Sequence, residues 1–485
     1  MFISSMIYMY SISYMNLNNF LLKRFYYLMM LFLLSMIMLI LGPNMLTIML
    51  GWDGLGLTSY CLIIYYNKLN SLNSGFYTII LNRLGDSGLL MIISFLSMFG
   101  SWNLIIYNMN NLLMLMIMIM IFSKSAQFPF FVWLPMAMMA PTPVSSLVHS
   151  STLVTAGIYL MIIYENLFSL NYKNYILLIS SITMLISGFM ANLEMDFKKI
   201  IAFSTLSQLG FMMSILCLGL VDLTFLHLFI HALFKSMMFM CVGSFIHYMN
   251  GSQNFRFYKG MFYIYPMKSM IIMFSLMMLC GFPFLVGFYS KDLMIEIYYM
   301  KKLSIFCLMV LIFSTVLTIS YSFRIMKNLL NNNLMCNLIY KYEDKLMSYC
   351  MMFMLILMLF LSKFIFNMKF LIFNMNLLKI YKYFFIKMFI LGYIMNLIFD
   401  MNNFVKLNFL FKNFIFMINM YKFVVYNFMN LLNKYEIIFE KGFYEIIISN
   451  FLFFFSMNKK IKFNSISLYM IILMYMYLMI IFMLN

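Results

Sequence analysis

Residues 112–130 read LLMLMIMIMIFSKSAQFPF. The run is apolar as far as Phe122, then meets Ser123, Lys124, Ser125, Ala126, Gln127, Phe128 and Pro129 before resuming at Phe130, with a further break at Pro135. Proline removes a backbone donor and clashes with the preceding turn. The spacing therefore predicts a membrane-depth helix over 112–140 that is interrupted. Non-helical backbone at that depth is tolerated only where protein or a water-filled cavity satisfies it. A second such run, 267–298, breaks at Gly281-Phe282-Pro283 and continues through Gly287 to Ser290-Lys291-Asp292. Pro129 and Pro283 stand 154 residues apart, which is room for two units of about five spans each. Two interrupted spans in corresponding halves are the usual sign of an internally repeated transporter. A lysine beside each break strengthens that reading over the plainer one, a proline kink in each half.

Composition sets the solvent. Of 485 residues, 65% are hydrophobic, 19% aromatic and 9% charged, and the mean hydropathy is +0.95. A soluble domain is roughly 45–50% apolar and about 25% charged, so a soluble globule is excluded, as is a disordered tail. An all-α integral membrane protein remains, a multi-pass bundle. Each span needs about 20 residues, so the length holds roughly a dozen to fifteen of them. Barrel strands alternate apolar and polar residues, whereas 27–41 and 466–484 are apolar on every face. The abundance of Met (60), Phe (56) and Tyr (35) beside few GC-coded residues points to an AT-rich, reduced genome such as an organelle's.

The expected spans are 25–42, 45–66, 76–98, 112–140, 144–164, 174–192, 199–220, 223–248, 267–298, 302–327, 346–362, 364–378, 385–399, 404–420 and 464–484. Residues 434–463, with Glu436, Glu440 and Lys441 on adjacent turns, are too charged to span and predict a helix lying along the membrane surface or a partner. The run 464–484 then anchors the end. Residues 1–22 carry neither a charged start with a cleavage site nor arginine, so they read as neither a signal nor a transit peptide.

Net charge is +18. Basic residues cluster in short loops, as in Lys23-Arg24, Lys301-Lys302, Arg324 with Lys327 and Lys459-Lys460-Lys462, which the positive-inside rule explains without nucleic acid. Cysteines 61, 217, 241, 280, 307, 336 and 350 form no CxxC pair. A zinc or iron–sulfur site and a disulfide framework are therefore not expected.

An ionised side chain at mid-membrane costs about 2.5–3.5 kcal/mol on insertion scales and is a functional candidate by default. The candidates are Asp53, Arg83 with Asp86, Lys124, Lys235 and Lys291 with Asp292, beside the histidines His149, His227, His231 and His247. His227, His231 and Lys235 follow at i, i+4 and i+8, about 40° and 6 Å apart from one to the next. This is the geometry of a proton relay; the plain alternative is a snorkelling lysine with two core histidines. A zinc-peptidase motif would need Glu where Leu228 stands. Asp53 lies in Gly51-Trp52-Asp53-Gly54-Leu55-Gly56, which misses the dinucleotide pattern at Ser59. Those glycines are read as admitting a neighbouring helix. Asp53 is expected to face the bundle interior and to pair with Lys124. Arg83 and Asp86, at i and i+3, are expected to satisfy each other. His247 sits at a span end and is assigned no role.

These residues resemble one family. Gly51 to Tyr60, Asn82-Arg83-Leu84-Gly85-Asp86, Lys124-Ser125-Ala126-Gln127, Ala140 to Thr152, Phe203 to Gly210, His227 to Lys235 and Gly287 to Asp292 are together similar to the antiporter-like subunits of respiratory NADH:ubiquinone oxidoreductase (complex I). The similarity is strong over about residues 40–325. It implies two inverted five-helix repeats, 43–192 and 193–330, each with a half-channel. Around them it implies an N-terminal segment and first span at 1–42, C-terminal spans at 331–433, a lateral helix at 434–463 and a terminal anchor at 464–485. By resemblance, Asp53 is a carboxylate paired with the broken-helix Lys124, His149 is a connecting histidine, His227, His231 and Lys235 are a central relay, and Lys291 with Asp292 closes the line. Electron transfer from NADH to ubiquinone, with FMN and iron–sulfur clusters, then belongs to other subunits, and this chain binds no cofactor or metal. Its partners are other membrane subunits and lipid, in the mitochondrial inner membrane. Family members normally carry two more spans ahead of the one at 25–42. The other readings are a stand-alone cation/proton antiporter subunit and a non-transporting assembly scaffold.

Overall fold

A computed structural model describes residues 1–15, 19–107, 110–300, 305–331, 343–367 and 384–401, with 426, 427 and 430. Among these residues there is no strand, only an isolated bridge between Asp196 and Asn254, and nine helices are long and apolar enough to cross a membrane. The expected spans 404–420 and 464–484 and the lateral helix 434–463 lie outside the described residues, as does most of 364–378, whose first residues close the helix before it.

The helices are α1 (Phe2–Met15), α2 (Asn19–Leu41), α3 (Met45–Ile63), α4 (Leu69–Phe99), α5 (Asn111–Lys124), α6 (Trp133–Ala137), α7 (Thr142–Ile163), α8 (Leu170–Leu193), α9 (Phe197–Leu216), α10 (Val221–Tyr248), α11 (Pro266–Cys280), α12 (Leu293–Met300), α13 (Ile305–Leu330), α14 (Lys345–Asn367) and α15 (Phe384–Met401). Helix α1 is not among the expected spans. Its serines return their hydroxyls to carbonyls three residues back, as Ser4 does to Met1 (2.6 Å) and Ser11 to Tyr8 (2.7 Å). The hydroxyls are thus satisfied within the helix, and α1 packs on α10 and α14. Helix α4 starts earlier than expected for a related reason. The Ser71 hydroxyl accepts from the Lys68 amide (3.0 Å) and donates back to its carbonyl (2.7 Å).

Both expected interruptions are present, and both fall before the proline. The first half-helix ends at Lys124, and a single 3-10 turn (Phe130–Val132) leads into the short α6. The second ends at Cys280 and resumes through a wide π turn, Phe288–Asp292, that runs into α12. Each end is closed by a bond spanning five residues, from the Gln127 amide to Phe122 and from the Phe282 amide to Met277, both 3.1 Å. That closure requires a left-handed residue just before it. Gly281 supplies it at φ 83° in the second break, but Ala126 supplies it at φ 53° in the first. Left-handed backbone costs a non-glycine residue about 1–2 kcal/mol. The prolines come a few residues later, where they prevent the helix from restarting in register.

Helices α8 and α9 pack against each other over much of their length, α13 lies on α8, and α10 packs between α9 and α11 and against α7. Helix α9 is buried almost throughout. It forms the centre around which the interrupted helices are placed.

Candidate functional site

Helix α3 carries the first cluster. A Cβ at Gly51 would stand 2.5 Å from the Leu39 amide nitrogen and one at Gly54 would stand 2.8 Å from Ser35 Cβ, so these glycines let α2 and α3 meet at backbone distance, as their spacing suggests. Gly56 opens the other side, toward Lys124 Nζ at 3.5 Å from its would-be Cβ. The Lys124 ammonium is buried. It donates to the main-chain carbonyl of Trp52 (3.2 Å) and lies 5.0 Å from the Trp52 ring centroid.

Asp53 does not pair with Lys124. Arg83 Nη1 lies 3.6 Å from Asp53 Oδ2 and 3.4 Å from Asp86 Oδ2, so the expected Arg83–Asp86 pair is present and Asp53 joins it. Nor does Asp53 face fully inward. Its side chain is 30% exposed and that of Arg83 47%, against 6% for Asp86. The turn geometry explains this. Trp52 and Asp53 are neighbours about 100° apart on α3, and it is Trp52 that turns its bulk and its carbonyl toward Lys124. Lys124 remains within electrostatic reach of both carboxylates, of Asp86 before Asp53.

His149 sits on a π-helical stretch, Ser145–Thr152, within α7. The run of hydroxyl residues makes that stretch. Ser150 donates to Ser146 O, while Ser151 and Thr152 both reach Leu147 O (2.9 Å each), competing with the regular backbone ladder. Such widened turns concentrate at functional sites. The His149 ring meets Trp133 edge-on at 6.3 Å, and Trp133 Nε1 donates to Ser123 O (2.9 Å), one residue from Lys124. Both His149 nitrogens are buried without a hydrogen-bond partner.

Helix α10 aligns the expected trio. The His227 and His231 rings are 6.5 Å apart, close to the rise of one helical turn, and Lys235 follows, all three buried. His227 Nδ1 contacts Ser290 Oγ at 2.9 Å and its Nε2 contacts Gln208 Oε1 at 3.3 Å. Neither nitrogen of His231 has a partner. Lys235 Nζ donates to Ser204 Oγ at 2.5 Å. Lys291, on the second π turn, donates to Thr318 Oγ1 (2.9 Å) and to Leu279 O (3.3 Å) in the last turn of α11. A cation is favoured at that carbonyl-rich helix end. Asp292 is buried beside it, with Oδ2 unpartnered. His227 thereby reaches, through Ser290, the same turn that holds Lys291.

Sequence reasoning had not singled out Ser204, Gln208, Trp133 or Thr318 as site residues. For α9 a signal exists. Ser204, Ser207 and Gln208 recur at i, i+3 and i+4 in an otherwise apolar segment, marking one polar stripe on a helix with no lipid face. Among the described residues no group of acidic, histidine and cysteine side chains is arranged to hold a metal ion.

The family described as NADH:quinone oxidoreductase/Mrp antiporter, TM, matches residues 42–318. The NADH-ubiquinone oxidoreductase chain 5 of Apis mellifera ligustica is 63% identical over 315 residues, covering 65% of this chain and 57% of that protein. The protein of the same name from Locusta migratoria is 50% identical over 333 residues, 67% of this chain and 58% of that one. The chain thus spans somewhat over half the length of these two relatives. The chain 5 of Anopheles arabiensis is 48% identical over 313 residues, 81% of its length. Among solved structures, one chain of the Mrp complex from Dietzia sp. DQ12-45-1b superposes with a TM-score of 0.77 at 21% identity, covering 94% of this chain and 53% of that one, a likeness of fold. With the family pattern matched over more than half its length, the chain belongs to the NADH:quinone oxidoreductase/Mrp antiporter family of membrane proteins.

Proposed function

We propose that this chain is a proton-translocating membrane subunit of respiratory NADH:ubiquinone oxidoreductase, working in the mitochondrial inner membrane against neighbouring antiporter-like and accessory subunits and lipid. NADH, FMN, iron–sulfur clusters and ubiquinone belong to other subunits on this reading, and the two five-span units, 43–192 and 193–330, each contribute one interrupted helix. The observation that carries it is the series Lys124, His149, His227, His231, Lys235 and Lys291, six protonatable side chains all buried within one helical bundle. An unsatisfied buried polar group costs about 1–3 kcal/mol. The unpartnered nitrogens of His149 and His231 and the unpartnered oxygens of Asp86 and Asp292 are therefore stabilised if water joins them, and a chain of water and side chains conducts protons.

The energetic scale suits the task. Moving one charge against 100 mV costs about 2.3 kcal/mol, and one unit of proton affinity is about 1.36 kcal/mol. A carboxylate that approaches or leaves an ammonium changes its affinity by amounts of that order. Asp53 and Asp86, both held by the single Arg83, are the movable acids at Lys124, and Asp292 is the acid at Lys291. The second reading is a stand-alone cation/proton antiporter role, for which the Mrp complex chain supplies a likeness of fold alone. Association separates the two, since the respiratory role requires the chain to co-purify with NADH dehydrogenase activity.

The test is the proton-to-electron ratio of the assembled enzyme in sealed vesicles. Lys291→Met and Lys124→Met are each expected to lower the ratio or to block turnover. A normal ratio at normal turnover in both variants contradicts the proposal.

A further inference from the structure

We propose that Tyr321 is a relay residue, completing a hydroxyl path from Lys235 to Lys291 that runs beside the imidazole line. The inference rests on the proton-translocating reading above. Tyr321 lies on α13 and is fully buried. Its hydroxyl is buried without a hydrogen-bond partner, on a helix that packs against α9, which carries Ser204 and Ser207. Both ends of the gap it occupies are already tied to a lysine. Lys235 Nζ donates to Ser204 Oγ at 2.5 Å, and Lys291 Nζ donates to Thr318 Oγ1 at 2.9 Å. Thr318 and Tyr321 are three residues apart on one helix, so their side chains share a face one turn apart. Ser204 at one ammonium and Thr318 at the other are thus the ends of the proposed path, each resting with its hydroxyl on its own helix backbone, and Tyr321 is the middle station, reached through water on either side.

The imidazole line offers a parallel connection, from Lys235 past His231 to His227, Ser290 and the Lys291 turn; His231, like Tyr321, is buried without a hydrogen-bond partner. A phenol suits the hydroxyl route because it both donates and accepts. A proton received on the Tyr321 oxygen from the Ser204 side is matched by release of the phenol's own proton toward Thr318. The residue returns to its starting composition with its hydroxyl rotated, and the lysine pair has exchanged one proton.

Tyr321→Phe removes one oxygen and keeps the ring that fills the space. In assembled, vesicle-reconstituted enzyme, proton-coupled turnover per assembled complex is expected to fall roughly tenfold, the equivalent of one hydrogen bond in the barrier, and its H2O/D2O rate ratio is expected to rise. A merely structural role would reduce assembly without moving that ratio. Ser204→Ala probes the same path from its other end, should the Phe variant fail to assemble, and is expected to act in the same direction. Lys235→Met is measured alongside. If it blocks pumping while the Phe and Ala variants keep the unsubstituted rate and isotope ratio, the hydroxyl path is wrong and the translocation reading stands. If Lys235→Met also pumps normally, both fall together.

Discussion

At the first interruption, Lys124 is held by a main-chain carbonyl and the face of an indole, with two carboxylates and an arginine close by on a half-open flank. At the second, Lys291 is held by a threonine hydroxyl and the carbonyl end of the half-helix on the other side of the break, with one carboxylate beside it in the closed interior. Both breaks bury a lysine beside a left-handed turn, but they stabilise it by different means. No side-chain substitution can delete the Trp52 carbonyl, whereas deleting one hydroxyl strips Lys291 of its side-chain partner. On the proposed function, the first site suits control by a partly exposed carboxylate, Asp53, and the second suits direct wiring into hydroxyls and histidines.

The difference extends to the packing around each break. A Cβ at Gly287 would fall inside the main-chain carbonyl of Met278, which cannot move without unwinding α11. One at Gly85 would meet chiefly the Ser123 hydroxyl, the end of a rotatable side chain. Gly287→Ala is therefore expected to destabilise by about 4 kcal/mol or more, and Gly85→Ala by about 1–2 kcal/mol, read as thermal melting of the solubilised protein. Equal losses at the two sites would contradict this difference between the breaks.

Arg83→Met leaves Asp53 and Asp86 without their shared cation. A loss of about 2–3 kcal/mol is expected, since Asp86 is buried, whereas Asp53→Asn costs about 1 kcal/mol or less because the Arg83–Asp86 pair survives and the Arg83–Asp53 pair is partly exposed. A double-mutant cycle measures the coupling. Additive effects would show that Arg83 and Asp53 act independently. Thr318→Val keeps the shape of the side chain but removes the hydroxyl from Lys291. A charged hydrogen bond lost in the interior is worth about 2 kcal/mol, so proton-coupled turnover is expected to fall by more than tenfold. Trp52→Phe at the first site retains both the carbonyl and an aromatic face and is expected to lower turnover only two- to threefold, about 0.5 kcal/mol. A further effect concerns the backbone. Ala126→Gly relieves a left-handed alanine (φ 53°) and is expected to gain about 1 kcal/mol, while Gly281→Ala, at φ 83° with Asp292 Oδ1 3.0 Å from the added carbon, is expected to lose at least as much. A loss from Ala126→Gly would mean that the first break is not strained.

The breaks were legible in the sequence because a lysine and a proline inside an apolar run conflict with both helix and lipid. The row His227, His231, Lys235 was legible because its spacing is that of one helix face. Partner choice was not. Which of Arg83 and Lys124 meets Asp53 depends on how α3 rotates between its neighbours, and that rotation is set by the approach of Gly51 and Gly54 to α2 rather than by anything local to the aspartate. The π turn at His149 was foreshadowed by its run of serines and threonines, but the same residues form ordinary helix in α1. Thr318 and Tyr321 were invisible for a different reason. Hydroxyl residues carry no insertion penalty large enough to mark them, and only the packing of α13 against α9 brings them to the lysines.

The central claim is that these buried groups share a hydrated path. It is tested most directly by locating ordered solvent in a high-resolution map of the assembled enzyme. The account predicts water within hydrogen-bond distance of the ring nitrogens of His149 and His231, continuing toward Lys124 on one side and Lys291 on the other. Close-packed apolar atoms against those nitrogens, with no water between the two interrupted helices, would contradict it.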